Sequence, residues 1–144
     1  MKCTFFGHRN IPDDMLPMLR LVIQTLIEER DITEFYIGNH GRYDRAVYTI
    51  LKELKKTHPY IKYYVVYAYP PSKDQEDFEH SIYPEEVADG LAHYAIDRRN
   101  KWMVTHSDMA VVYVTHGWGG AAKYAKMAER KGLKVIRIDD IVVV

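Results

Sequence analysis

Ala110-Val111-Val112-Tyr113-Val114 runs straight into Thr115-His116-Gly117-Trp118-Gly119-Gly120, and a helical pattern follows at once from Ala121-Ala122. A short apolar run, a glycine-rich turn and a helix make one strand–turn–helix unit. Glycine at such a corner lets a ligand approach the backbone, and the first free N–H groups of the helix point outward at its positive end. The same grammar recurs along the chain. Cys3-Thr4-Phe5-Phe6 leads into Gly7-His8-Arg9, and Phe35-Tyr36-Ile37 leads into Gly38-Asn39-His40-Gly41. The run from Tyr63 to Ala68 ends in Tyr69-Pro70-Pro71-Ser72. If these runs are parallel strands, all the clusters share one carboxyl edge, where open α/β folds bind ligands.

Periodicity places strands at 2–6, 34–37, 62–68, 109–114 and 134–138. Helices are expected from the Asn10-Ile11-Pro12-Asp13-Asp14 start to Arg30, over 42–57, over 95–105 and over 119–131. Strand and helix alternate throughout, so the expectation is α/β: a single doubly wound, mainly parallel sheet of five strands with helices on both faces. Residues 1–144 form one domain on this reading. Between 69 and 94 the pattern dissolves, and that stretch reads as a flap or long loop over the carboxyl edge, with a short helix near 84–90. Ile141 to Val144 reads as an edge or oligomer contact.

The composition removes several function classes. Lys+Arg and Asp+Glu both number 20, so no overall field draws the protein to nucleic acid or to an anionic membrane. One cysteine among 144 residues excludes an internal disulfide and fits a reducing compartment. With no long apolar stretch at the N-terminus, a cytoplasmic location is expected. The seven histidines are scattered without ligand spacing, so no metal is expected. The Walker pattern, the full dinucleotide fingerprint and the G-x-S-x-G elbow are absent, and no cofactor is implied. Twelve tyrosines, several of them between 63 and 69, suit a stacking site or a subunit interface, and a homo-oligomer is expected.

Candidate ligand-binding residues follow from the corners. Gly7, His8 and Arg9 offer a turn with a guanidinium able to hold phosphate in bidentate fashion. Gly38, Asn39 and Gly41 form a second corner, with Asp44 in the next helix. Gly117, Trp118, Gly119 and Gly120 form the third. Arg99 and Met103 lie four apart on one helix face, so Met103 can pack inward while Arg99 reaches the edge above it. Arg98 and Lys101 read as a solvated face. Were a carboxylate needed for catalysis, Asp44, Glu85, Glu86 and Asp97 are the acids that could reach the edge.

At these residues the sequence resembles the SLOG superfamily and, within it, the small YpsA-like proteins. The likeness rests on Cys3 through Arg9, Tyr36 through Gly41 with Asp44, Arg99-Asn100-Lys101-Trp102-Met103, and Val114 through Ala122. It implies a Rossmann-like sheet that binds a nucleotide or nucleotide-derived, ADP-ribose-like ligand at the glycine corners. It also implies a distant likeness to the LOG phosphoribohydrolases, which pair an arginine placed like Arg99 with a glutamate in P-G-G-x-G-T-x-x-E. Here the turn is H-G-W-G-G-A-A-K-Y, with His116 for proline and with Lys123 and Tyr124 where the acid would stand. Three readings follow. The first is a binding protein acting as sensor, effector or ligand sink, with the base stacked on Trp118, Tyr69 or Tyr83. The second is a nucleotide N-glycosidase or phosphoribohydrolase-type enzyme. The third is a protein-interaction scaffold with a relic pocket.

Overall fold

The computed structural model describes residues 1–141. Six strands form one parallel sheet: β1 (Lys2–Gly7), β2 (Glu34–Ile37), β3 (Lys62–Val66), β4 (Ser81–Ile82), β5 (Met109–Tyr113) and β6 (Lys134–Arg137). Their order across the sheet is β4-β3-β2-β1-β5-β6. The helices are α1 (Leu16–Glu29), α2 (Gly41–Thr57), α3 (Glu85–Ala88), α4 (Ala95–Thr105) and α5 (Gly120–Arg130).

Alternation along the strands assigns the two faces. Cys3, Phe5, Phe35, Ile37, Tyr63, Val65 and Val111 pack with Leu19, Ile23, Val47 and Leu51 of α1 and α2. Phe6, Tyr36, Val66, Ala110 and Val112 point the other way, into a second core with Met103 of α4 and Ala125 and Ala128 of α5. Both faces are covered, as a parallel sheet requires. The chain steps outward from β1 to β4 and then returns across the sheet to place β5 beside β1. That reversal puts a crevice between the carboxyl ends of β1 and β5.

The strand count of five is corrected to six. β4 lies inside the 69–94 segment and pairs Ser81 with Val65 and Ile82 with Val66. Two residues are too few to display a period-2 pattern, so only the open edge of β3 reveals them as a strand. The segment is also anchored. Tyr67 N–H donates to the Ile82 carbonyl at 2.9 Å, and the Tyr67 hydroxyl donates to Asp77. Arg98, expected on a solvated face, donates from Nε to the Val87 carbonyl at 2.9 Å and from Nη1 to the Leu91 carbonyl at 2.7 Å. Trp102 Nε1 donates to Glu86 at 2.8 Å.

The first helix begins differently from its sequence signal. A 3-10 turn at Asp13–Met15 precedes α1, and no side-chain cap bond is made at Met15. Residues 142–144 of the expected edge or oligomer contact lie outside the described residues. No helix among the described residues is long and apolar enough to cross a membrane.

Candidate functional site

Three glycine corners are tied into one rim by hydrogen bonds. His8 N–H donates to the Tyr113 carbonyl at 3.1 Å, and Thr115 N–H donates to His8 Nε2 at 3.0 Å, joining the β1 and β5 corners. Arg42 N–H donates to the Arg9 carbonyl at 2.8 Å, joining the β1 and β2 corners. Gly41 holds φ +86°, and a Cβ there would stand 2.7 Å from Arg9 Cγ, so glycine permits both the turn and the approach. Beneath them the Tyr43 ring crosses β1 at Gly7, where a Cβ would fall 2.3 Å from the ring.

The rim encloses a cleft of about 500 Å³ over Phe5 and Phe6. Of the expected residues, Gly7, His8, Arg9, Asp44, Arg99, Trp118, Gly119 and Gly120 line it. Gly38, Asn39 and Gly41 instead line an adjoining cleft of about 630 Å³, with Asp44 as the shared wall. Gly117 faces a smaller space behind the third corner. His40, Asn100, His116 and Tyr124 also line the main cleft, and none of the four was among the candidate ligand-binding residues, although each stands in a motif the sequence analysis quotes. A signal existed for His40, Asn100 and His116, which directly adjoin expected residues. Tyr69 and Tyr83 of the 69–94 segment do not line the main cleft. The segment borders the adjoining one through Gln75, Glu76 and Asp77.

Arg99 is the centre of the site. It is only 2% exposed, yet no carboxylate lies within 4.0 Å of its guanidinium among the described residues. Its Nε donates to Asn100 Oδ1 at 2.7 Å. Nη1 donates to Asn39 Oδ1 and to the Val66 carbonyl, both at 3.0 Å, and Nη2 donates to His40 Nδ1 at 3.1 Å. Four of its five N–H groups are thus committed to neutral acceptors, and one on Nη2 makes no hydrogen bond among the described residues. Because Arg99 is a permanent donor, His40 must accept at Nδ1 and carry its proton on Nε2. Burial, then the charges of Arg99 and Arg9, push the His40 pKa down and keep the ring neutral.

Asp44 receives the His40 N–H at 3.0 Å. Burial is the larger influence on its carboxyl and raises its pKa to about 6, against the pull of that hydrogen bond and of Arg99 and Arg9. A Cβ on Gly38 would lie 2.6 Å from Asp44 Oδ2 and 3.3 Å from Arg99 Cζ, so the missing side chain is what lets both groups converge there. Asp97 is engaged differently. It pairs with Lys101 at 2.8 Å and Lys123 at 3.2 Å and accepts from the Tyr124 hydroxyl. Burial opposes ionisation, but these partners prevail and hold its carboxyl down at about 2. Asp97 stays charged and is not placed to move protons. Glu85 and Glu86 do not line the cleft.

The third corner carries a ladder of rings. His8 stacks on His116 with centroids 3.8 Å apart, and His116 stacks on Trp118 at 3.7 Å. Burial foremost, and His116 next, lower the His8 pKa, which agrees with its Nε2 accepting a backbone N–H. Trp118 ends the ladder at 72% exposure. Gly119 caps α5 with φ +90°. A Cβ on Gly117 or Gly120 would touch nothing within 4 Å, so packing gives no reason for glycine there. An open glycine beside a helix N-terminus is the geometry of a backbone cradle for an anion. No group of His, Cys, Asp and Glu able to hold a metal occurs among the described residues.

No protein-family model matches the chain, and no curated protein matches its sequence. The fold does have a solved counterpart. The X-ray structure of DNA processing protein A (DprA) from Streptococcus pneumoniae superimposes with a TM-score of 0.66 at 15% identity. The match covers 93% of this chain and 48% of that one, so this chain spans about half of that structure. The chain therefore has a Rossmann-like α/β fold built on a six-stranded parallel sheet.

Proposed function

We propose that the protein binds a nucleotide or nucleotide-derived anion at the carboxyl edge of its sheet, as a sensor, effector or ligand sink. One observation carries this reading: Arg99 is a buried cation that lines the cleft, has no carboxylate within 4.0 Å among the described residues, and keeps one N–H uncommitted. Asp44 compensates this charge from beyond ion-pair distance, and burying a charge with so distant a partner costs several kcal/mol that an arriving anion offsets. Phosphate fits between Arg99, Arg9 and the N-terminus of α5, and a planar base fits the free face of Trp118. The motif residues around Arg9, Gly38, Arg99 and Gly119 support placing the chain among YpsA-like proteins of the SLOG superfamily. Titrating the protein with nucleoside monophosphates by calorimetry tests the reading. Arg99→Lys keeps the charge but loses the planar fork, and should weaken binding about tenfold or more. Absence of binding at millimolar ligand, or equal affinity in the variant, would overturn it.

A second reading rests on Asp44. A carboxyl raised to about 6 beside a neutral His40 in a cleft can take or give a proton near neutral pH. That favours the enzyme alternative, hydrolysis of an N-glycosidic bond, with Asp44 in place of the acid that Tyr124 displaces. Incubation with nucleoside monophosphates and NAD should release free base, and Asp44→Asn should abolish the release. A homo-oligomer is part of either reading, supported by the exposed Tyr69, Leu91 and Tyr94, and light scattering checks it.

A further inference from the structure

The charges of this chain balance overall, with 20 basic and 20 acidic residues, but they are unevenly spread. Seven acids and no Lys or Arg stand between Asp74 and Asp89, the stretch that carries β4 and α3. Six bases and one acid, Glu129, stand between Lys123 and Arg137, the stretch that carries most of α5 and all of β6. β4 and β6 are the two outer strands of the sheet. One edge of the molecule is therefore acidic and the opposite edge basic.

More than half of these side chains are uncommitted. Asp74, Glu79, Glu85 and Asp89 are exposed and take part in no ion pair among the described residues. The same holds for Lys126, Arg130, Lys131 and Lys134. Lys123, Lys126 and Arg130 share the outward face of α5, opposite the buried Ala122, Ala125 and Ala128. Lys126 and Arg137 wall one small space, so helix and strand present a common basic surface. Six strands spaced about 4.8 Å apart put the two edges about 24 Å from each other. That is well beyond the screening length of about 8 Å at physiological salt, so one molecule cannot neutralise its own edges.

Charge at a sheet edge commonly guards against edge-to-edge association. Here the guard works between like edges only, where acid meets acid or base meets base. The acidic edge of one molecule and the basic edge of another attract. No net charge opposes their approach. Apolar area is available as well. Leu91, two residues past the acidic run, is 70% exposed, and Leu133 and Val135 are half-buried at the basic edge.

We propose that a second copy of this chain docks head to tail, its basic α5–β6 edge against the acidic 74–89 edge of the first. The contact joins two different surfaces, so it is heterologous. It repeats into a ring or an open chain instead of closing as a two-fold dimer. The proposal is independent of what the cleft binds.

Sedimentation velocity on the full chain at about 0.1 mM tests it. In about 0.05 M NaCl the average mass should be at least about twice that of the monomer, and in about 0.5 M NaCl it should fall to the monomer value. Two charge-reversed variants, Lys126→Glu with Arg130→Glu and Glu79→Lys with Asp89→Lys, should each be monomeric in low salt. Mixing them in equal amounts should restore association, because each supplies the edge that the other has lost. Melting curves establish that both are folded, and the salt comparison on the unaltered chain stands without them. A monomer in low salt, an oligomer indifferent to salt, or variants that associate alone or fail to recover on mixing would overturn the proposal. So would a low-salt monomer that polyglutamate binds through Lys126 and Arg130, because the basic edge would then belong to a different, acidic partner.

Discussion

The Tyr43 hydroxyl donates to the carbonyl of Val111 at 2.8 Å, reaching from the first turn of α2 across β1 to β5. The ring can take that path only because Gly7 has no side chain. One tyrosine thereby fixes the glycine corner of β2 relative to the switch point between β1 and β5. Burial pushes its pKa well up, so the hydroxyl stays a donor at all working pH values.

Gly7→Ala should therefore be among the most damaging single-methyl changes in the chain. The new Cβ would stand 2.3 Å from the Tyr43 ring. Overpacking of this kind costs about 1–3 kcal/mol. Tyr43→Phe should cost about 1 kcal/mol, the net worth of its hydrogen bond. Urea denaturation of both variants checks the order. A Gly7→Ala variant as stable as wild type would contradict the packing.

Gly38→Ala should strike the site more selectively. Its Cβ would press on Asp44 Oδ2 and on Arg99 Cζ, the far ends of two flexible side chains, so part of the clash can relax. The expected result is a melting point lowered by a few degrees, a cost of about 1 kcal/mol, with ligand affinity down about tenfold. Thermal shift with and without nucleotide separates the two effects.

The pH dependence of stability has a definite sign at Asp44. Its folded pKa of about 6 stands above the ordinary carboxylate value, so the native state holds the proton more tightly than the unfolded chain. Asp44 thus favours the fold most at low pH, and that contribution is lost as pH rises from about 4 to about 6. His8 and His40, both lowered, act in the opposite direction over the upper part of this window. The difference between wild type and Asp44→Asn isolates the carboxyl. Asp44→Asn should be the more stable of the two above pH 6, and the gap should narrow toward pH 4. A gap independent of pH would contradict the raised pKa. Asp97, lowered to about 2, adds stability above pH 4 that disappears as pH falls toward 2, outside that window.

Trp118 touches little besides His116, so Trp118→Ala should change stability by no more than about 0.5 kcal/mol. Base stacking on its free face would be worth about 0.5–1.5 kcal/mol, a loss of about twofold to tenfold in nucleotide affinity. Quenching of tryptophan fluorescence on titration reports the same contact. Trp102 is half-buried, and its signal should stay constant.

Arg98→Ala should free the stretch from Val87 to Leu91. It removes two charge-assisted bonds to carbonyls, each worth about 1.5–3 kcal/mol where well shielded and less at this half-exposed position. Limited proteolysis should then cut near 86–92 in the variant before wild type. Equal cleavage would show that Trp102 and Glu86 suffice to hold the segment.

The amino-acid sequence alone was enough for the alternation of strands and helices, for the glycine corners and for Arg99 above Met103. These are local matters. Period-2 and 3.6 patterns, and the i to i+4 relation of Arg99 to Met103, are written into neighbouring residues. The tertiary fold decided the rest. β4 is a strand because β3 offers an open edge, and Arg98 is a tether because Val87 and Leu91 happen to stand before it. The division of the corners between two clefts depends on which side of the Gly38–Gly41 turn each residue faces. The raised pKa of Asp44 comes from burial that outweighs the pull of Arg99, and the neutrality of His40 from burial beside that same guanidinium, which α4 brings in from some sixty positions away along the chain. Such encounters arise from packing between distant segments, and no short-range pattern encodes them.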